Sequence, residues 1–463
     1  MTRQSFHVIH DDLRGRLDPH YYLPEFRDIE QRLRAPGWPV KEMGEIATIA
    51  CGSTPREGSF IEKIEDAVVF LKTVNVQDYY LDLSTLYFIS RESHAKRRIS
   101  EVKEGDILLT IIGANLDVVG RVVIVPSGFM EANINQNIAA IRVKDPDELD
   151  PYFVMAFLGL EPAQRQIARL SRQAGQVNLN IREVGLIQVP LSPPNIQTAI
   201  IDIIRTACRK KSQKLEKIEQ LLRNLNNIVM DKLGLKLDKI EGSNTFVLTY
   251  EEIEGRLDAE FYKPKFRKLE ENLQKKGTEL GKLVDFQTEK VNPRKIPEEI
   301  FRYVEIENLD EKSGMIKSCQ KMRGEEAPSR ARLILREGDL VIPSLSGTFK
   351  KVSVVTKEYD GAVGTTGLIL VKPTKVNTDF LFAVLRSDIG QLQLERNVTG
   401  AIMPSLTKTS VRKIMIPLDR SVEESIGHLA AEYRRKIQTI SREAETILIQ
   451  AKLEAQEKLV GKL

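Results

Sequence analysis

The strongest constraint on this chain is that it nearly repeats itself. Arg16 to Leu33 reads RLDPHYYLPEFRDIEQRL, and 240 residues later Arg256 to Leu273 reads RLDAEFYKPKFRKLEENL, with nine of eighteen positions identical and no gap. Phe70 to Val76 is echoed by Tyr303 to Leu309, and Lys103-Glu104-Gly105-Asp106-Ile107-Leu108 by Arg336-Glu337-Gly338-Asp339-Leu340-Val341, both offset by 233. Leu186 to Leu191 and Lys413 to Leu418 form a fourth pair, offset by 227. One such match means only a turn before a strand. Four in the same order imply two copies of one unit of roughly 230 residues.

Each copy has the same grammar. A short helix (Pro24 to Leu33; Pro264 to Leu273) leads into short β-type runs separated by turn residues. In the first copy these are Val68 to Leu71, Asp106 to Ile112, Arg121 to Val125 and Ile138 to Val143; in the second, Arg302 to Ile306, Asp339 to Ile342, Ser353 to Val355 and Leu368 to Val371. A helical stretch (Tyr152 to Ser171; Asp379 to Arg396), a loop containing Gly175 or Gly400 and a closing strand ending at Pro190 or Pro417 complete the copy. The expected fold is α/β (α+β) with sheets of mixed character.

A long helix follows each globular part. Pro193 to Leu233 has no Gly and no Pro after Pro194, and Ile204, Leu215, Ile218, Leu222, Leu225 and Val229 fall on one heptad series interrupted by Lys211. Ser192-Pro193 suits its start and Gly234 its C′ position. Ser421 to Val460 repeats the pattern with Ile426, Leu429, Tyr433, Ile437, Ile440, Ala444, Ile447 and Ala451, and Ser421-Val422-Glu423-Glu424 reads as a capping box. Each helix would be roughly 60 Å long. It either packs across its own domain or, more economically, buries its stripe against the other helix as an antiparallel coiled coil, which would place the globular parts at opposite ends of a rod. The expected divisions are therefore 1–192, 193–235, 236–419 and 420–463.

Composition excludes more than it identifies. No stretch approaches ~18 consecutive apolar residues, and Met1 to Glu30 lacks a signal-peptide core, so a soluble, non-secreted chain without a membrane partner is expected. Cys51, Cys208 and Cys319 are far apart and odd in number, which supports neither disulfides nor zinc and suggests a reducing cytoplasm. The net charge is only +4, and residues 1–192 are slightly acidic yet contain His94-Ala95-Lys96-Arg97-Arg98, so any nucleic-acid surface must be local. His7, His10, His20, His94 and His428 show no ligand spacing, and Glu57, Glu62, Glu65 and Asp66 read as surface rather than a nuclease metal site. Ser192-Pro193-Pro194-Asn195 superficially matches the amino-methyltransferase pattern [DNS]PP[FYW], but Asn195 offers no ring to stack on a flipped base. Neither a methyl-donor Gly-rich loop nor GxxxxGK[ST] is present. No catalytic residue and no metal ligand is expected.

The two globular parts with their long helices, the element Cys51-Gly52-Ser53-Thr54-Pro55 and the strand-Pro-Leu then Ser-Pro-Pro helix entry resemble the specificity subunit of a type I restriction-modification enzyme over essentially the whole chain. The second copy departs from it, reading Gln287-Thr288-Glu289-Lys290 and Pro417-Leu418-Asp419-Arg420 at the corresponding places. The resemblance implies a non-catalytic chain with two target-recognition domains, 1–192 and 236–419, each reading half of a bipartite double-stranded DNA site. Unlike loops in the two copies imply an asymmetric target. The helices would set the spacer and dock two modification (methyltransferase) subunits, with restriction (translocase-nuclease) subunits joining them. The assembled complex would be an adenine-specific DNA methyltransferase and ATP-dependent endonuclease, whose AdoMet, ATP and Mg belong to the partner subunits. The competing reading is a protein-only scaffold that spaces two partners.

Candidate DNA-reading residues are loop side chains suited to phosphates or base edges. In the first copy they are Lys96, Arg97, Arg98, Asn133, Asn135, Gln136, Asn137, Arg169, Arg172, Gln173 and Gln176; in the second, Lys290, Arg294, Lys295, Ser344, Ser346, Lys350, Lys351, Arg396 and Asn397. Arg16, Asp18, Tyr22, Pro24 and Phe26 recur as Arg256, Asp258, Tyr262, Pro264 and Phe266. Recurrence suits a structural or docking role, because base readers should differ between copies.

Overall fold

A computed structural model describes residues 19–23, 26–55, 60–61, 66–172, 176–235, 246–253, 256–266, 269, 273, 277–287, 289–400 and 403–461. The chain divides into two compact units, residues 1–212 with 445–463 and residues 213–444, so each long helix contributes to both. Arg16, Asp18, Pro24, Glu57, Glu62, Glu65, Gln173, Gly175, Thr288, His7 and His10, and half of the stretch expected to be helical from Pro264 to Leu273, lie outside the described residues.

In the first unit, strands Val122–Ile124, Ile107–Thr110, Ile138–Val143 and Ala47–Cys51 form an antiparallel sheet in that order. A second sheet runs Phe60–Ile61, Tyr87–Ile89, Val68–Leu71, Ala132–Ile134 and Glu101–Val102. Its one parallel pair, Val69 opposite Ala132, involves the fully buried run Val68–Leu71, as expected of a strand covered on both faces. The second unit has the sheets Val284–Phe286, Leu368–Pro373, Leu340–Pro343, Ser353–Val354, Met315–Ile316, Leu309–Asp310 and Gln320–Arg323, Ile300–Val304, Val363–Thr365, Ala331–Ile334. Parallel pairing here joins Tyr303 to Val363 and Met315 to Val354. The sheets are thus mainly antiparallel, and the fold is α+β.

Identical side-chain devices hold both units. Gln166 donates to Gln188 O at 3.0 Å and accepts from Gln188 N at 2.7 Å; Gln393 does the same with Met415 at 2.9 and 2.7 Å. Arg169 donates to Tyr21 O at 3.0 Å and covers the Tyr21 ring; Arg396 donates to Phe261 O at 3.2 Å and covers the Phe261 ring. Strand Val40–Glu42 pairs with Gln188–Pro190, and Gly277–Glu279 with Met415–Pro417.

Three local expectations are corrected. Tyr152 to Ser171 is two helices, Pro151–Leu158 and Glu161–Leu170, because Pro162 cannot continue the first and Gly159 lies against Tyr79, where a Cβ would meet the hydroxyl at 2.0 Å. Asp379 to Arg396 likewise breaks at Ser387, whose extended backbone ends Thr378–Arg386 and caps Asp388–Arg396. The second long helix, Arg420–Val460, starts one residue before the expected box. Its cap is Asp419, whose Oδ1 accepts from Ser421 N at 2.9 Å and Ser421 Oγ at 2.6 Å.

The first long helix, Pro194–Lys232, ends at Gly234 with φ +62°, and Leu235 N closes the turn onto Met230 O at 2.9 Å. In the first unit, Ile200, Ile204 and Ala207 share the core with Leu448, Ala451, Ala455 and Leu459, and Ile447 packs at its edge. In the second, Ile218 is buried with Ile437 and Ile440, flanked by Leu215 and Leu222. Leu225, Val229, Ile426 and Ala430 join the larger core, with Leu429 and Tyr433 partly buried against it, and Ala444 is buried. Ala430 and Leu448 lie deeper than the expected Leu429 and Ile447 because a 3.6-residue helix drifts from a 3.5-residue stripe. Cys51, Cys208 and Cys319 are free, and no described helix is long and apolar enough to cross a membrane.

Candidate nucleic-acid interface

In the first unit the basic segment is carried by the short helix Arg91–Ala95, capped by Ser90, and the turn Arg98–Ser100. Lys96 and Arg98 are exposed, paired only locally with Glu92 at 2.5 Å and Glu101 at 3.2 Å. Such surface pairs are weak and readily exchanged for a phosphate. Arg97 folds back instead, donating to Ser93 O at 3.0 Å and Ser93 Oγ at 2.7 Å.

Asn133, expected in a loop, is a strand residue with no exposed surface. Its Nδ2 donates to Arg97 O at 3.0 Å and Ser100 Oγ at 2.9 Å, and its Oδ1 lies 2.7 Å from His94 Nδ1. All its capacity is used in tying the basic segment to the sheet. Asn135 is 8% exposed and accepts from Asn137 N at 3.2 Å, forming a turn. That turn presents the exposed Gln136, whose Oε1 accepts from Thr54. Gly52 is required beside it: a Cβ there would meet Asn135 O at 1.9 Å. The CGSTP loop and Gln136 therefore share one surface. Arg172 is exposed and pairs with Glu183 at 3.4 Å, and Gln176 is exposed.

The sequence reading missed Lys72, whose ammonium sits 3.3 Å from the Tyr87 ring centroid and 4.5 Å from that of Phe60 and whose pKa is lowered by burial. Only the fold brings these rings to the lysine.

In the second unit Lys290 is exposed beside Leu333 and belongs to a group the sequence did not reveal, with Lys408 and Arg412. Lys408 donates to Gln287 O at 2.9 Å, and burial, then Lys290 and Arg412, lower its pKa. Three mutually repelling cations suit an anion. Arg294 and Lys295 are exposed on one turn, Arg294 donating to Ala327 O at 2.7 Å. Lys350 is 73% exposed, whereas Lys351 turns inward to Ile306 O at 3.2 Å, its pKa lowered chiefly by burial. Ser344 donates to Gly367 O at 2.8 Å, Ser346 is exposed, and Asn397 donates to Gln393 O at 2.8 Å.

The recurrent residues act as a clamp. Arg256 forks onto Asp258 at 2.8 and 2.6 Å, Tyr262 donates to Arg256 O at 2.9 Å, and Arg256 and Arg396 both lie over the Phe261 ring. Arg256, Arg396 and Phe261 also line a cavity of about 260 Å³ with Thr407 and Ser410.

The chain is 24% identical over 176 residues to the EcoBI specificity subunit of a type I restriction enzyme from Escherichia coli, covering 37% of this chain and 35% of that one. It therefore spans about a third of the length of that curated relative. Among solved structures it is similar to the type I restriction-modification S subunit from M. genitalium (14% identity, 92% of this chain and 96% of that one, TM-score 0.40) and the HsdS subunit from Thermoanaerobacter tengcongensis (12%, 92% and 96%, 0.30). It is also similar to a chain from a study of complex assembly and conformational transition of the type I R-M system (13%, 92% and 97%, 0.38). The family of the type I restriction modification DNA specificity domain matches residues 36–221, which takes in the CGSTP loop, the basic segment and the proline entry to the first long helix.

Proposed function

We propose that the chain is the non-catalytic DNA-specificity subunit of a type I restriction-modification complex, each unit reading one half of a bipartite, asymmetric double-stranded site. The observation that carries this is the recurrence of the same internal bonds, Gln166 with Gln188 and Gln393 with Met415, beneath surface loops of different chemistry. A tandem duplication with a common scaffold and divergent readers would have that signature. Lys96 and Arg98 in the first unit, and Lys290, Lys408 and Arg412 in the second, are the phosphate contacts we assign; Gln136 and Gln176 are candidate base readers. Arg97, Asn133, Arg169 and Arg396 hold these surfaces in place.

The long helices form an antiparallel coiled coil in this reading. The first half of one shares a core with the last half of the other, and Lys214 and Glu443 pair at 2.5 Å. They would set the spacer and dock two modification subunits, with restriction subunits, AdoMet, ATP and Mg supplied by the partners. The test is co-expression with the accompanying modification subunit and genome-wide mapping of methylated adenines. One split motif with unlike halves is expected; methylation without a split motif, or none, would favour a protein-only scaffold.

A further inference from the structure

We infer that His94, Glu131 and Glu101 form a divalent transition-metal site, with Zn²⁺ the best-matched ion, a function independent of the DNA reading. Hydrogen bonding fixes the tautomer of His94. The carbonyl oxygen of Arg97 can only accept, so the Asn133 group 3.0 Å from it is the amide nitrogen, which leaves Oδ1 facing His94 Nδ1 at 2.7 Å. Nδ1 therefore carries a proton, and Nε2 is the ring nitrogen left to face Glu131 and to offer a lone pair to a metal. That nitrogen belongs to a side chain 2% exposed, has no hydrogen-bond partner, and lies 3.0 Å from Glu131 Oε1.

Nε2 and a carboxylate oxygen held this close need a proton or a metal ion between them. One ligand atom from each of His94, Glu131 and Glu101 falls within 4.8 Å of the others. Zinc bonds of about 2.0–2.2 Å to imidazole and carboxylate put ligands roughly 3.3 Å apart, so a small swing of the Glu101 side chain completes three ligands, with water as the fourth. Asn133 is the outer partner such a histidine needs to hold its ring. Arg91 pairs with Glu131 and Arg98 with Glu101; their side chains are 57% and 64% exposed and can turn to solvent when an ion takes the carboxylates. The ion would join the helix Arg91–Ala95 to strands Ala132–Ile134 and Glu101–Val102.

The full chain, stripped with chelator, is titrated with Zn²⁺ against a chromophoric competitor. One equivalent is expected to bind, with affinity at least about tenfold weaker in His94→Gln and in Glu131→Gln. Arg91→Gln, which only removes a competing cation, is expected to bind more tightly; that variant leaves the buried ring untouched and so keeps the test independent of folding. A Cys51→Ser, Cys208→Ser, Cys319→Ser triple variant should bind as the parent does. Unchanged affinity in His94→Gln and Glu131→Gln, loss of binding in the triple variant, or no binding by the parent would overturn the assignment and leave a charged histidine paired with Glu131.

Discussion

Asp106 and Asp339 occupy the same place in the two units and are treated differently. Each follows a glycine with φ near +80° (Gly105 +80°, Gly338 +84°), and each backbone carbonyl accepts from the next strand, from Val125 at 2.8 Å and Val355 at 2.9 Å. In the first unit Arg142 forks onto Asp106 with two contacts of 2.7 Å. In the second the corresponding residue is Lys372, and Asp339 Oδ2 is buried with no hydrogen-bond partner among the described residues. Burial pushes the Asp339 carboxyl from 3.8 up to about 6, outweighing Gln287, Arg336 and Lys372, which pull it down. The comparison teaches that two units can share the same backbone bonds while their side-chain compensation differs, and that a point-charge ammonium does not replace a planar fork.

The largest expected effect comes from breaking the better pair. Arg142→Ala removes the counter-charge of Asp106, which has no exposed surface and keeps the Lys103 N–H at 2.8 Å, and should cost the first unit about 3 kcal/mol, the low end for a lost buried pair because Arg142 is itself half exposed. Trp38 is the chain's one tryptophan and packs on the first unit's core, so its fluorescence in urea should report the loss.

Asp339 should make the second unit sensitive to pH in a defined direction. Its folded pKa is raised, so its contribution is fully present below about 3.8 and lost as pH rises through about 6. The loss is on the order of 2–3 kcal/mol at about 1.36 kcal/mol per pKa unit. Asp339→Asn should flatten that slope in circular dichroism melts without moving the Trp38 transition; an unchanged slope would contradict the assignment. Lys372→Arg should sharpen the comparison from the other side, stabilising the second unit by about 1 kcal/mol near neutral pH through the restored fork. The smallest effect is on the surface. Lys290→Ala and Lys408→Ala should each lower the salt slope of DNA binding by about one unit, with no change of sequence preference.

What the sequence revealed and what it concealed follow from how local each signal is. Strands Val68–Leu71 and Ile138–Val143 match the expected runs because continuous apolar residues between turns need no partner to be recognised. The break near Gly159 is half legible: Pro162 is local, whereas the Tyr79 hydroxyl that packs on Gly159 lies 80 residues upstream. Asn133 reads as part of a polar loop with Asn135, Gln136 and Asn137, yet it faces His94 and Ser100, which only the sheet brings to it. Lys408 and Arg412 went unnoticed because they start and end a short helix more than 100 residues from Lys290.

The central claim is that the two units read DNA separately. Once the methylated motif is known, competition binding against targets altered in one half at a time tests it most directly. Gln136→Ala should relax discrimination in one half only, by on the order of 1–3 kcal/mol for a lost bidentate base contact, and substitutions at Lys290 and Lys408 should weaken binding without relaxing either half. Equal loss of preference in both halves from Gln136→Ala would contradict the account.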